Sequence, residues 1–182
     1  MRKLLPVAAL AALVAGCGTM MQDSGVSARG GIDMSDMTPN TAMPYVMMAG
    51  ASDLYEIQSS QMAARRATRP EVRQYAQMLI QHHQMTTQQV IGAARASGLN
   101  PPPPRLLPMQ RQMLQQLRGA SGGNFDRLYI SQQVPAHQMA LALHGNYARS
   151  GDRPQLRAVA GQAVPIVTQH LQQARQMMGM MQ

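Results

Sequence analysis

The segment Leu79-Ile80-Gln81-His82-His83-Gln84-Met85 places two of the chain's five histidines side by side within an apolar helical pattern. Neutral imidazole is a ligand for zinc, copper and iron and a partner for carboxylates. His83 continues a four-and-three stripe with Val72, Ala76, Leu79, Thr86, Val90 and Ala93, so it points toward a core. His82 is about 100 degrees away around the helix and faces the flank. A second stripe, Leu156, Ala160, Ala163, Val167, His170, Ala174 and Met177, also carries one histidine near its middle. A third joins Asp126, Ile130, Gln133, His137, Ala140, His144 and Tyr147, and a fourth joins Ala49, Asp53, Glu56, Ser60, Ala63 and Ala67. Of the two glutamates, Glu71 suits the start of a helix, whereas Glu56 has no such explanation.

These residues need four long helices to bring them together. The first is expected from about Tyr45 to Ala67. The second runs from Pro70, with Thr68 as its cap, to Ser97-Gly98, where Asn100 and four prolines stop it. A connection over 101–123 holds a short helix near 108–118. The third long helix spans about Asn124 to Arg149, with Pro135 expected to kink it. The fourth spans Pro154 to about Met178, with Pro165 inside. No alternating strand pattern occurs. The expected fold is all-α: a ferritin-like four-helix bundle of two antiparallel hairpins joined by a long crossover containing a short helix.

Counting from the hairpin turns puts Glu56, His83 and His137 at one depth. His170 falls about one turn away, ~6 Å at 1.5 Å per residue. Glu56, His83, His137 and His170 are therefore the candidate metal ligands, with iron, copper or zinc as candidate ions. His82 and His144 are secondary candidates. The alternative is a purely structural polar core in which buried imidazoles fix the register through hydrogen bonds. No Glu-x-x-His motif, as in di-iron bundles, is present. No Ser/His/Asp or Cys/His set and no phosphate loop is present either, leaving redox chemistry at a metal as the one catalytic class to entertain.

The eighteen methionines admit two readings. Thioethers favour Cu(I), which would suit Met34 and Met37 or the group Met177, Met178, Met180 and Met181. Met78, Met113 and Met139 are instead expected to fill gaps in the core.

Residues 1–16 have Arg2 and Lys3 before an apolar run too short to span a bilayer, the pattern of a secretion signal. Val14-Ala15-Gly16-Cys17 resembles a bacterial lipobox, which implies lipidation at Cys17. The expected product is anchored on the periplasmic side of the cell envelope, at the outer membrane, with the membrane as its partner. Residues 17–44, rich in Gly, Ser, Thr, Asp and Met, are expected to be a flexible tether, and 45–182 the bundle domain. Cleavage would leave no cysteine for a disulfide or a thiolate zinc site. It would also leave fourteen arginines against eight acids, a net of +6. The arginines are scattered and aromatic residues are few, so no nucleic-acid partner is expected.

Three segments carry a family resemblance: 52–90, from Ser52-Asp53-Leu54-Tyr55-Glu56; 125–141, with Phe125-Asp126, Tyr129 and His137; and 163–175, with His170. Together they resemble domain of unknown function 4142, a family of exported bacterial proteins, often lipoproteins, assigned a ferritin-like bundle. Where that family commonly has Asp-His, this chain has His82-His83. The segment LIQHHQM also resembles part of a second helical family, domain of unknown function 305, associated with copper handling. The resemblance implies fold and location, while the role it leaves open is either metal binding or a structural or envelope-stress function.

Overall fold

The computed structural model describes residues 38–181, so the signal segment, Cys17 and most of the expected tether lie outside the described residues. Among the described residues the protein is all-α, with five helices and no strand. They are α1 (Ala42–Arg66), α2 (Pro70–Ala96), α3 (Pro108–Gly119), α4 (Gly122–Ser150) and α5 (Pro154–Gly179). None of these helices is long and apolar enough to cross a membrane.

Helix α1 starts three residues before the expected Tyr45, and its first turn already buries Ala42, Tyr45 and Val46. Pro44 does not prevent this, because a proline in the first turn lacks only an N–H that no intrahelical acceptor would take. The residues just before it are held too: Asn146 Nδ2 donates to the Thr38 carbonyl, and Asp152 N donates to Asn40.

The expected Thr68 cap is replaced by a residue from another helix. Arg69 is the N-cap of α2 and its side chain makes no capping bond. Instead the buried Asp126 carboxylate of α4 accepts hydrogen bonds from Thr68 N, Thr68 Oγ1 and Arg69 N. A carboxylate there also complements the positive end of the α2 dipole. At the other end of α2, Gly98 takes φ +78° and Leu99 N bonds to Ala94 O, a glycine-terminated Schellman ending. The α4–α5 turn depends on Gly151 for another reason: a Cβ there would lie 2.4 Å from the Tyr147 ring.

Three-residue connections make α1 and α2 antiparallel neighbours, and likewise α4 and α5. Side-chain bonds Tyr45–His144, Tyr55–Gln132 and Ser60–Tyr129 advance along α1 while receding along α4, so that pair is antiparallel as well. Helix α5 packs against α2. Helix α3 lies on α1 and α4, burying Leu114 and Leu117, and the Arg66 guanidinium donates to the carbonyls of Leu117 and Ala120 at its end. Pro135 and Pro165 both sit inside unbroken helices.

The core has two apolar ends. One contains Ala63, Val72, Leu79, Phe125, Tyr129 and Ala174; the other contains Tyr45, Val46, Val90, Leu143, Tyr147 and Leu156. Between them lies a buried polar layer with Asp53, Glu56, His83, Thr86, His137 and His170. All five tyrosines are buried, and each hydroxyl has a partner: Tyr45 with His144, Tyr55 with Gln132, Tyr75 with the His170 carbonyl, Tyr129 with Ser60 and Tyr147 with Asp152. Met177 and Met181 are buried in the first apolar end, with Met78, Met113 and Met178 packed against it, so most of these methionines fill space. Met180 remains exposed.

Candidate metal centre

Each of the four long helices sends a ligand-type residue into the polar layer, and three of those residues converge. One ring nitrogen from each of His83, His137 and His170 lies within 4.8 Å of the others. The ring centroids are 5.6 Å apart for His83–His137, 5.4 Å for His83–His170 and 5.3 Å for His137–His170. All three rings are buried.

The one-turn offset expected for His170 does not separate it from the others. A helical side chain leans toward the N-terminus of its own helix and covers the turn before its Cα. In the antiparallel α4–α5 pair this moves His137 away from the shared turn and His170 toward it. The leans bring the two rings to nearly one level.

Hydrogen bonds leave one nitrogen free on each ring. His83 Nδ1 lies 2.8 Å from Asp53 Oδ1, and His137 Nδ1 lies 2.8 Å from the Gln133 carbonyl, where only an N–H can donate. His170 Nε2 lies 2.8 Å from His82 Nδ1. The nitrogens without a partner are His83 Nε2, His137 Nε2 and His170 Nδ1. A buried polar atom without a partner costs about 1–3 kcal/mol. Three of them on rings whose centroids are 5.3 to 5.6 Å apart suit a cation, and anchoring each ring through its second nitrogen is what metal-binding imidazoles require. For three atoms at most 4.8 Å apart, a central point lies within ~2.8 Å of each; an imidazole–metal bond of about 2.0–2.1 Å needs only a small inward movement.

The electrostatics of the layer are asymmetric. Burial holds His137 down at about 3, aided by the charge of His83. Burial likewise holds His170 at about 2, with contributions from His83, His137 and His82. These two rings are neutral at pH 7 and keep their lone pairs. Burial also opposes charge on His83, but the hydrogen bond and charge of Asp53, with Glu56, outweigh it and raise the ring above its ordinary value.

Glu56 is buried with neither carboxyl oxygen hydrogen-bonded, and its Oε1 lies 4.0 Å from His137 Nδ1. Burial pushes its pKa up to about 8, with His83 pulling the other way. Glu56 therefore borders the histidine trio and is not one of its converging atoms.

His144 lies apart from the trio. It bonds to Tyr45, whose ring stacks on Tyr147 at 3.9 Å, and burial lowers it to about 4. His82 sits at the half-exposed edge, as its helical angle predicts, yet it is bonded to His170, the two rings nearly coplanar with centroids 5.0 Å apart. Asp53 was identifiable only as a stripe member. It turns out to orient His83 while also accepting from the hydroxyls of Thr86 and Thr87. Its position one turn before Glu56 on the same stripe was the signal available.

Fold and site together define an all-α protein with a closed histidine trio between two apolar layers. Residues 31–177 match the family described as "Domain of unknown function (DUF4142)", and the chain belongs to that family. No curated protein sequence matches it. Among solved structures it is similar to CopM in the Cu(I)-bound form, at 24% identity and TM-score 0.65 over 75% of this chain and 94% of that one. The Cu(II)-bound form gives 21% identity and TM-score 0.65 over 76% and 96%. The co-crystallised Ag-bound form gives 23% and 0.63 over 75% and 93%. At these identities the likeness shows a shared fold.

Proposed function

We propose that this protein is a lipid-anchored metal-binding protein of the cell envelope, a ferritin-like four-helix bundle that holds copper at His83, His137 and His170. The observation carrying this reading is that one ring nitrogen from each of His83, His137 and His170 lies within 4.8 Å of the others, on buried rings that are each anchored through one nitrogen and have the other without a partner. Three imidazoles suit copper and also zinc or iron. Copper is preferred because the solved structures of similar fold include CopM bound to Cu(I), Cu(II) and silver. The buried Glu56 carboxyl supplies a counter-charge when it ionises. The role proposed is metal binding at these three rings. Export and anchoring at Cys17 belong to this reading through the Val14–Cys17 pattern.

A second reading is favoured by the same anchoring bonds. Asp53–His83 and His137–Gln133 lock side chains in place, as a structural polar layer would. Metal analysis of tag-free protein, with melting measured before and after Cu(I) or Ag(I), separates the two. The metal reading expects one ion per chain and a raised Tm, both lost in His137→Gln. Absence of stoichiometric metal with unchanged melting sinks it.

A further inference from the structure

The histidine trio is sealed: His83 is 2% exposed, and His137 and His170 are 0% exposed. Apolar layers close it along the helix axes. A bare cation crossing such a layer faces a desolvation penalty of several kcal/mol even after relaxation. Passage is feasible only where ligands replace one another stepwise. His82 is the histidine that meets both solvent and trio, half-exposed on α2 while bonded to His170 on α5.

We infer that His82 is the port of the site: it takes the cation first at the rim and passes it to His170 and the trio. This rests on the metal-binding reading above. With the His170 proton on Nε2, that N–H donates to His82 Nδ1 across their 2.8 Å contact, and the unpartnered His170 Nδ1 presents its lone pair inward. Rotation of the His82 ring breaks that one bond and frees its Nδ1 lone pair for the arriving ion. The two rings meet edge to edge, nearly coplanar, with centroids 5.0 Å apart, so an ion held by His82 has only the width of the His170 ring to pass to reach its inward Nδ1. No proton is gained or lost, since each ring keeps its N–H on Nε2 throughout. Once the ion lies among His170, His83 and His137, His82 swings back and its Nδ1 again accepts from His170, closing the site.

The port and a purely supporting role make different predictions. As a port, His82 governs the rate of loading and unloading and leaves the final affinity almost unchanged. As a support for the His170 ring, it governs affinity. Two substitutions separate them. His82→Gln keeps an acceptor for His170 Nε2–H and is a poor soft-metal ligand, whereas His82→Met keeps a soft ligand and loses the acceptor.

The experiment is stopped-flow transfer of Cu(I) from a chromophoric chelator to the full folded chain, with Kd from equilibrium competition. The port predicts at least tenfold slower transfer in His82→Gln at a Kd within about threefold of wild type, and recovery of most of the rate in His82→Met. Unchanged transfer in His82→Gln overturns it. A fall in affinity as large as the fall in rate, or a His82→Met variant as slow as His82→Gln, overturns it as well. Failure of the wild-type chain to take up any ion would instead overturn the metal-binding reading beneath it.

Discussion

Asp53 Oδ1 lies 2.8 Å from His83 Nδ1, and both groups are buried. The contact joins α1 to α2 and decides which face of the imidazole looks into the polar layer. A carboxylate behind a metal-binding histidine fixes its tautomer and increases its basicity. Asp53→Asn keeps the shape and removes the charge. It is expected to weaken Cu(I) or Ag(I) binding by roughly 10–100-fold, the usual range for such partners. Equilibrium competition against a chelator measures it, and an unchanged Kd would show that Asp53 serves only the fold.

Glu56 and His83 both hold protons more tightly in the folded protein than their ordinary values allow, Glu56 up to about 8. A cation placed among the rings reverses this preference by Coulomb attraction for the deprotonated forms. Binding at pH 7 should therefore release protons, and affinity should rise with pH up to about 8. Calorimetry in buffers of different ionisation enthalpy counts the protons released. Glu56→Gln should reduce that count while leaving the ion stoichiometry at one.

In the metal-free protein, acid stability follows from His137, His144 and His170, held at about 3, 4 and 2 by burial. These depressed values contribute stability that is present above about pH 6.5, where unfolded imidazoles are neutral, and is lost as pH falls toward the folded values. Glu56 acts with the opposite sign: its contribution is full below its ordinary value and fades as pH rises toward 8. Near pH 5.5 three histidines outweigh one carboxyl by about two protons, a slope on the order of 2–3 kcal/mol per pH unit. Denaturant midpoints at pH 7 and 5.5 should differ accordingly. The difference should shrink in His137→Gln.

Asp126 offers a control remote from the metal chemistry. Its carboxylate holds the α1–α2 turn through Thr68 and Arg69, and removing it leaves those N–H groups without their acceptor. Asp126→Ala should lower stability by about 2–4 kcal/mol, given ~1.5–3 kcal/mol for a hydrogen bond to a charged group. Metal stoichiometry of the folded fraction should stay the same. Chemical denaturation beside metal analysis tests both halves.

The helices and their inward faces were legible from residue spacing alone. Every member of the α5 stripe from Leu156 to Met177 is buried, as are Asp126 to Tyr147 on α4 and Ala49 to Ala63 on α1. On α2 the pattern slips only at its end, where Ala94 is buried in place of Ala93. A 3.6-residue repeat sorts side chains by direction, so periodicity alone is enough to say which residues enter the core.

What periodicity could not supply was the pairing inside that core. Direction around a helix says nothing of which nitrogen meets which oxygen, because that depends on axial lean, ring rotation and a neighbour remote in sequence. Tertiary structure therefore gave His83 to Asp53 rather than to Glu56, and set the Asp126 carboxylate where a Thr68 cap was expected. It also brought His170 level with His137 and tied His82 to it across the α2–α5 contact. The sequence by itself determined an all-α chain with a histidine on three of its inward faces. Only the packing of four helices, each tilting its side chains toward its own N-terminus, made three of those rings meet.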